Sequence, residues 1–151
     1  MVQTKEKNEM NEEDIKNLYR QGIDCSQAVA QCFTRQTGLD KKTLRKMGAC
    51  FGGGMRRGET CGAVTGALMV LGLKYGHCRE GDLHGKKLLY EKMDLFEKLF
   101  LEKYPSLRCR ELLGHDIGTP EGLERILEQG LLFNFCPAVA AHAIGVLEKI
   151  L

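Results

Sequence analysis

The stretch that decides the fold runs from Gly48 to Gly76, GACFGGGMRRGETCGAVTGALMVLGLKYG. It holds nine of the 18 glycines and two of the seven cysteines in the 151-residue chain. A polar, glycine-rich loop changes within it to an apolar helix. Each glycine inside a helix costs roughly 0.5–1 kcal/mol relative to alanine, so this density of glycine needs a compensating reason. We expect that reason to be close approach of a backbone or a ligand to Cys61.

The rest of the chain continues the helical pattern. Apolar residues recur at spacings of three and four, and no segment shows sustained alternation of apolar and polar side chains. The chain length fits one domain. These features predict an all-α, single-domain bundle of about seven or eight helices. Residues 11–151 are expected to form this domain, after a disordered segment at residues 1–10.

Capping residues, glycines and prolines set the expected helix limits. The predicted helices run from Asn11 to Gly22, Cys25 to Gly38, Lys41 to Phe51, Cys61 to Tyr75, Lys86 to Tyr104, Leu107 to Gly114, Pro120 to Gly130 and Cys136 to Leu151. Inward positions are expected at Leu44 and Met47 and along the stripe Leu88, Leu89, Met93, Phe96, Leu99 and Phe100.

Composition limits the function classes. The net charge is +2, with basic and acidic residues interleaved, which argues against a nucleic-acid partner. The charged N-terminus has no apolar run of the kind that marks a secretory signal, so we expect a cytoplasmic protein. Thiols stay reduced in that compartment, which favours catalytic or ligand cysteines over structural disulfides. No apolar tract approaches the ~20 residues of a membrane span, so none is expected.

Four of the seven cysteines fall in or beside the first turn of a predicted helix, namely Cys25, Cys61, Cys109 and Cys136. A helix N-terminus carries roughly half a positive charge and unpaired N–H donors, so it favours thiolate and lowers a cysteine pKa. The thiolate is both the nucleophile and the metal ligand. The four are therefore the candidate catalytic residues, or alternatively metal ligands. The competing interpretation of each is a buried cysteine that serves only as a small apolar side chain.

The other three cysteines carry different expectations. Cys32 lies within a helix on an apolar face and is expected to be a core residue. Cys50 precedes the glycine run and Cys78 lies in a predicted connection, and either one could join the site. The chain contains no C-x-x-C pair, so neither a thioredoxin-type active site nor a zinc ribbon is indicated.

The glycine loop is a second candidate site. Backbone N–H groups of Gly53 and Gly54, with Arg56 as a positive wall, could bind an anion or a cofactor. The alternative is a plain tight connection between two helices. The four histidines show no ligand spacing, since no two of them lie three or four residues apart.

Four segments together carry a family resemblance: GIDCSQAV at 22–29, FGGGMRRGETCGAVTGALMVLGL at 51–73, SLRCRELLG at 106–114 and FCPAV at 135–139. With them the chain resembles the C_GCAxxG_C_C family of redox-active proteins, from about Ile15 to its C-terminus. The resemblance implies that Cys25, Cys61, Cys109 and Cys136 are the family's four cysteines, with Cys61-Gly62-Ala63-x-x-Gly66 as the central motif. The family label has glycine before its central cysteine, where this chain has Thr60. The fold is also similar to a domain of split-Soret cytochromes, but the C-x-x-C-H motif for covalent haem is missing.

Three functions follow as hypotheses. The four cysteines could cycle between dithiol and disulfide, or transfer electrons, together with a redox partner protein whose identity the sequence does not give. They could instead hold zinc or an iron–sulfur cluster. The third hypothesis is a non-catalytic helical binding module, and whether the protein is an enzyme stays open. A homodimer is a further expectation, because the glycine-faced helix from Cys61 to Tyr75 could pack against a second copy.

Overall fold

The structure is a computed structural model, and it describes residues 10–151. Across this range the chain is all-α, as expected, with one isolated β-bridge and no strand. The helices are α1 (Glu12–Arg20), α2 (Cys25–Ala30), α3 (Thr34–Thr37), α4 (Lys41–Gly48), α5 (Gly62–Tyr75), α6 (Leu83–Leu101), α7 (Cys109–Leu113), α8 (Pro120–Glu128), α9 (Leu131–Asn134) and α10 (Cys136–Ile150). The segment at 1–10 that was expected to be disordered lies outside the described residues, apart from Met10.

Helix α5 is at the centre of the bundle. It packs against α2, α6 and α10, and its residues Ala63, Val64, Ala67 and Val70 are at most 1% exposed. A β-carbon on Gly66 would lie 2.6 Å from the carbonyl oxygen of Ser26, so this glycine lets α2 pack directly on α5. Gly66 of the small-residue face is therefore used inside the chain, by α2, whereas Gly72 of the same face has no such neighbour. The homodimer stays a prediction.

Helix α10 carries much of the remaining core, with eight buried residues. Residues Leu131–Ile150 are long and apolar enough to cross a membrane, by length and composition only. The sequence expectation overlooked this stretch, because its apolar residues are interrupted by Asn134 and His142. One such helix is weak evidence for a span, since a core helix passes the same test.

Several helix limits differ from those predicted. The second predicted helix, Cys25 to Gly38, is broken into α2, a 3₁₀ turn at Gln31–Phe33 and α3, because Phe33 leaves the helical region with φ −117° and ψ 42°. The third ends at Gly48 rather than Phe51. The long helix α6 begins three residues earlier, where the Asp82 carboxylate accepts the Gly85 N–H at 2.8 Å, and it ends at Leu101. The short helix α9 was not predicted.

Two inward positions were also predicted wrongly. Leu44 is buried as expected, but Met47 is 40% exposed, because α4 packs mainly against α2 and the 3₁₀ turn at Gln31–Phe33 and leaves its other sides to solvent. On α6 the buried residues are Phe96 and Phe100, whereas Leu88 is 41% exposed.

A four-cysteine cavity between two hydrophobic clusters

The four candidate cysteines line one cavity of about 160 Å³. It lies where two hydrophobic clusters meet. The main cluster contains Cys25 and Cys61, the smaller one is formed by Cys109 with side chains of α7–α9, and Cys136 packs against both. The sequence separates these cysteines by tens of residues, and the fold brings them to a common space.

Each of the four stands at the start of a helix, as the sequence predicted. Cys25 is the first residue of α2, Cys61 is the N-cap of α5, Cys109 is the first residue of α7, and Cys136 is the first residue of α10. The site is therefore assembled from the first residues or N-caps of four helices, which line one cavity.

A short backbone pairing fixes Cys61 and Cys109 relative to each other. The Cys61 N–H donates to the Leu107 carbonyl at 2.7 Å, and the Cys109 N–H donates to the Glu59 carbonyl at 2.6 Å. These two bonds form the antiparallel bridge between Thr60 and Arg108. The starts of α5 and α7 are thus held together by main chain, which does not depend on the side chains of the site.

Cys25 is held by the glycines around it. Its sulfur lies against Gly62, in space that a β-carbon on that residue would occupy. Burial raises the pKa of its thiol, and the N–H groups of Gly53 and Ser26, which donate to the sulfur, offset part of that rise. The glycine-rich stretch predicted a close approach of a backbone or a ligand to Cys61, and the structure instead places the Cys25 side chain against Gly62.

The glycine loop forms a left-handed turn. Gly53, Gly54, Met55 and Arg56 have φ values of 64°, 62°, 59° and 59° in succession. A left-handed backbone costs a non-glycine residue roughly 1–2 kcal/mol. The backbones of Met55 and Arg56 are therefore strained, and packing around the turn must offset this cost. A β-carbon on Gly118 would lie 2.7 Å from the Arg56 carbonyl, which shows how closely the 114–118 loop covers the turn.

Only part of this loop faces the cavity. Gly53 lines it, whereas Gly54 is buried against the backbone of Glu59, and the Arg56 side chain is exposed. The proposed anion or cofactor cradle of Gly53, Gly54 and Arg56 stays a prediction, and its three members do not share one face.

The expected lowering of the cysteine pKa values is wrong. Burial raises the pKa of all four thiols, and for Cys109 it raises the pKa from its ordinary 9.0 to about 12. For Cys61, Cys109 and Cys136 the second cause is the charge of Cys25, so the sulfurs lie close enough to interact. Desolvation in this apolar pocket exceeds the stabilisation from nearby N–H donors.

Two polar residues of the cavity were missed as site residues. Tyr19 of α1 lines it together with Asp24, whose carboxyl pKa is raised by burial. The sequence presented Tyr19 as part of an apolar helix face and Asp24 as a helix cap. The sequence could have indicated Tyr19, because a tyrosine on a buried helix face needs a hydrogen-bond partner for its hydroxyl.

The remaining cysteines lie away from the cavity. Cys32 packs against the main cluster and its thiol donates to the Ala28 carbonyl at 3.2 Å, whereas Cys50 and Cys78 are exposed. All seven cysteines are among the described residues, and none forms a disulfide. Within residues 10–151, no three His, Cys, Asp or Glu side chains are placed to hold a single metal ion.

Comparison with known proteins identifies the family. Neither the curated proteins nor the solved structures gave a match to this chain. The profile of one family matches residues 23–150, which include all four cavity cysteines, and that family is described as "Putative redox-active protein (C_GCAxxG_C_C)". The match covers most of the 151 residues, so the chain belongs to the C_GCAxxG_C_C family.

Proposed function

We propose that this protein transfers electrons through an iron–sulfur cluster held by Cys25, Cys61, Cys109 and Cys136. The observation that carries the proposal is the convergence of these four thiols on one cavity of about 160 Å³. Four cysteine thiolates are the common ligand set of [2Fe–2S] and [4Fe–4S] clusters. A family described in terms of redox activity and four cysteines supports the same proposal.

The electrostatics of the site favour a cluster over an exposed reactive thiol. Burial raises the pKa of the four thiols, and buried thiols of this kind are poor nucleophiles at neutral pH. A bound metal reverses this balance, because its positive charge holds coordinating thiols in the deprotonated form.

The placement of the side chains bears on the choice between a single zinc ion and a cluster. The described positions do not bring three ligands to one ion, so a zinc site would require several side chains to turn to a common point. A cluster distributes four cysteines over two or more irons, so it needs no common point.

The surrounding residues fit such a group. The N–H groups of Gly53 and Ser26 would donate to the Cys25 sulfur, and the Ala63 N–H would donate to Cys61. Hydrogen bonds to sulfur and the exclusion of water are the protein's means of setting a cluster potential. When bound, the cluster would take one electron from a partner electron-carrier protein and give one to an acceptor. A cytoplasmic location is part of the proposal.

A dithiol/disulfide couple between Cys25 and Cys61 is the second candidate. One observation favours it, namely that the Cys25 sulfur lies against Gly62, the neighbour of Cys61. Forming the disulfide would release two protons and two electrons, which would reduce a disulfide of a partner protein to two thiols. This candidate gives no role to Cys109 and Cys136.

The two candidates are separated by purifying the full chain without oxygen and measuring iron, acid-labile sulfide and visible absorbance. The cluster proposal expects iron and sulfide in stoichiometric amounts, lost on changing Cys25, Cys61, Cys109 or Cys136 to serine. The matched controls, which should retain the metal, are Cys32→Ser, Cys50→Ser and Cys78→Ser. A protein that stays metal-free after anaerobic reconstitution contradicts the cluster proposal.

Thiol counting tests the second candidate on the same samples. A Cys25–Cys61 couple predicts two fewer alkylated thiols after oxidation, with both thiols recovered on reduction. If the samples show neither metal nor a reversible thiol change, the cysteines serve only as core residues of a binding module.

A further inference from the structure

Tyr19 brings an unpartnered hydroxyl group to the four-cysteine cavity. Its side chain lines the cavity and is 9% exposed. The hydroxyl oxygen is buried, and within residues 10–151 it has no hydrogen-bond partner. It is the only buried side-chain oxygen or nitrogen in that range with this property.

The hydroxyl lies within electrostatic range of the thiols. Burial raises the pKa of the phenol, and charges at Cys25, Cys136 and Cys61 raise it further, in that order. Tyr19 and the four cysteines line the same cavity. Burying a hydroxyl without a hydrogen bond is unfavourable, and phenylalanine would fill the same apolar wall without that cost.

We propose that the Tyr19 hydroxyl donates a hydrogen bond to a sulfur of the four-cysteine centre and raises the reduction potential of that centre. The inference rests on the proposed function, because the acceptor is a sulfur of the bound cluster. Cluster sulfides and ligating cysteine sulfurs accept hydrogen bonds, whereas no thiol among the described residues is placed to accept one from Tyr19.

The direction of the effect follows from charge. Reduction of a cluster adds an electron, which increases the negative charge on its sulfurs. A fixed O–H donor therefore stabilises the reduced form more than the oxidised form, which raises the potential. Tyr19 is thus a positioning and tuning residue rather than a ligand.

The test is a potentiometric titration of the anaerobically purified full chain as wild type, Tyr19→Phe and Tyr90→Phe. Tyr90 is 50% exposed on α6, so it is a matched tyrosine control away from the cavity. Loss of one hydrogen bond to charged sulfur is expected to change the equilibrium constant for reduction by about tenfold. For a one-electron couple this lowers the potential by about 59 mV, and Tyr90→Phe should leave it unchanged.

A second variant guards against a failure of Tyr19→Phe to fold or to assemble the centre. Site-specific 3-fluorotyrosine at position 19 keeps the ring and the hydroxyl but makes the phenol more acidic, so its hydrogen bond is stronger. Its potential should shift in the opposite direction, above that of the wild type.

The outcomes are distinct. A Tyr19→Phe protein with wild-type iron and sulfide content but an unchanged potential overturns the role of Tyr19 while leaving the proposed function in place. If Tyr19→Phe does not fold or does not bind the cluster, an unchanged potential in the 3-fluorotyrosine protein also overturns the role of Tyr19. A wild type that neither accepts nor releases electrons in the titration overturns both.

Discussion

The sulfur of Cys25 lies against Gly62, in the space that a β-carbon would need. This contact joins the first residue of α2 to the first residue of α5, and it also places Cys25 beside the neighbour of Cys61. Gly62, the glycine of the central Cys-Gly-Ala motif, is therefore needed because any larger residue would overlap the Cys25 sulfur.

Gly62→Ala should displace the Cys25 sulfur from the cavity. The new methyl group would overlap that sulfur and would also lie 3.0 Å from the Phe51 carbonyl, so Cys25 must turn away. We expect the iron content of the anaerobic protein to fall severalfold, measured by metal analysis. In the metal-free protein, mass spectrometry should show faster alkylation of Cys25.

Gly72→Ala is the matched control on the same helix. Apart from its chain neighbours and the backbone of its own helix, no described atom lies within 4 Å of the β-carbon that it adds. The substitution should leave the metal content unchanged and stabilise α5 by about 0.5–1 kcal/mol, because alanine is the better helix former. Equal metal content in Gly62→Ala and Gly72→Ala would contradict the role assigned to Gly62.

Gly66→Ala should weaken the packing of α2 on α5. Its β-carbon would lie 2.6 Å from the Ser26 carbonyl oxygen and 3.1 Å from the Ser26 α-carbon, and backbone atoms cannot turn away as a side chain can. Overpacking of this kind costs about 1–3 kcal/mol, which exceeds the gain in helix propensity. Urea denaturation should therefore show a lower free energy of unfolding.

Gly145→Ala on α10 separates this effect from helix propensity. Apart from its chain neighbours and the backbone of α10, no described atom lies within 4 Å of the added carbon, so the change should be neutral or stabilising. If Gly66→Ala and Gly145→Ala have the same stability, then α2 does not require the glycine.

Gly54→Ala should disrupt the left-handed turn. Its β-carbon would overlap backbone atoms of Glu59, in addition to the strain of φ 62°. Gly114→Ala tests the backbone strain alone, because Gly114 has φ 73° and, apart from its chain neighbours, no described atom lies within 4 Å of an added β-carbon. Thermal or urea unfolding should show a loss of about 1 kcal/mol for Gly114→Ala and a clearly larger loss for Gly54→Ala. The reverse order would contradict the close packing of the turn.

The metal-free protein should lose stability in alkaline solution. Burial raises the pKa of Cys109 from 9.0 to about 12, so between these values the folded state holds a proton that the unfolded state has released. The free energy of unfolding therefore falls as pH rises, by up to about 1.4 kcal/mol per pH unit for this one group. The stabilisation is complete below about pH 9 and is lost as the pH rises to the folded pKa.

Cys109→Ala provides the comparison, because lysines and tyrosines titrate in the same range in both proteins. Urea unfolding of the two metal-free proteins at a series of pH values from 8 to 11 should give a steeper decline for the wild type. Parallel pH profiles would show that Cys109 ionises normally in the folded protein.

The helix starts were the most predictable part of this structure. Asn11 and Thr119 accept N–H bonds from Asp14 and Gly122 at 2.9 and 3.0 Å, as their residue types indicate. The same local signals placed Cys25, Cys61, Cys109 and Cys136 at helix starts. Their convergence could not be derived from these signals, because it depends on tertiary packing and on the backbone pairing of residues 59–61 with 107–109. The family resemblance named the same four residues without giving their geometry.

The electrostatics were less predictable than the positions. A helix start is visible in sequence, but the depth at which it is buried is not. At Cys61 burial outweighs the Ala63 N–H, so the pKa moves in the direction opposite to the local expectation. Likewise Tyr19 reads as one member of an apolar face, and only the packed fold shows its hydroxyl without a partner.

The position of the cavity between two hydrophobic clusters has a consequence for local unfolding. The small cluster of α7–α9 contributes Cys109, whereas the main cluster contributes Cys25 and Cys61. A group bound to all four sulfurs would link these clusters. Its binding free energy would then be added to the free energy of locally unfolding either cluster. Amide hydrogen exchange in α7–α9 would then slow when a group is bound to the four cysteines. The exchange rate in these helices would therefore report whether the site is occupied.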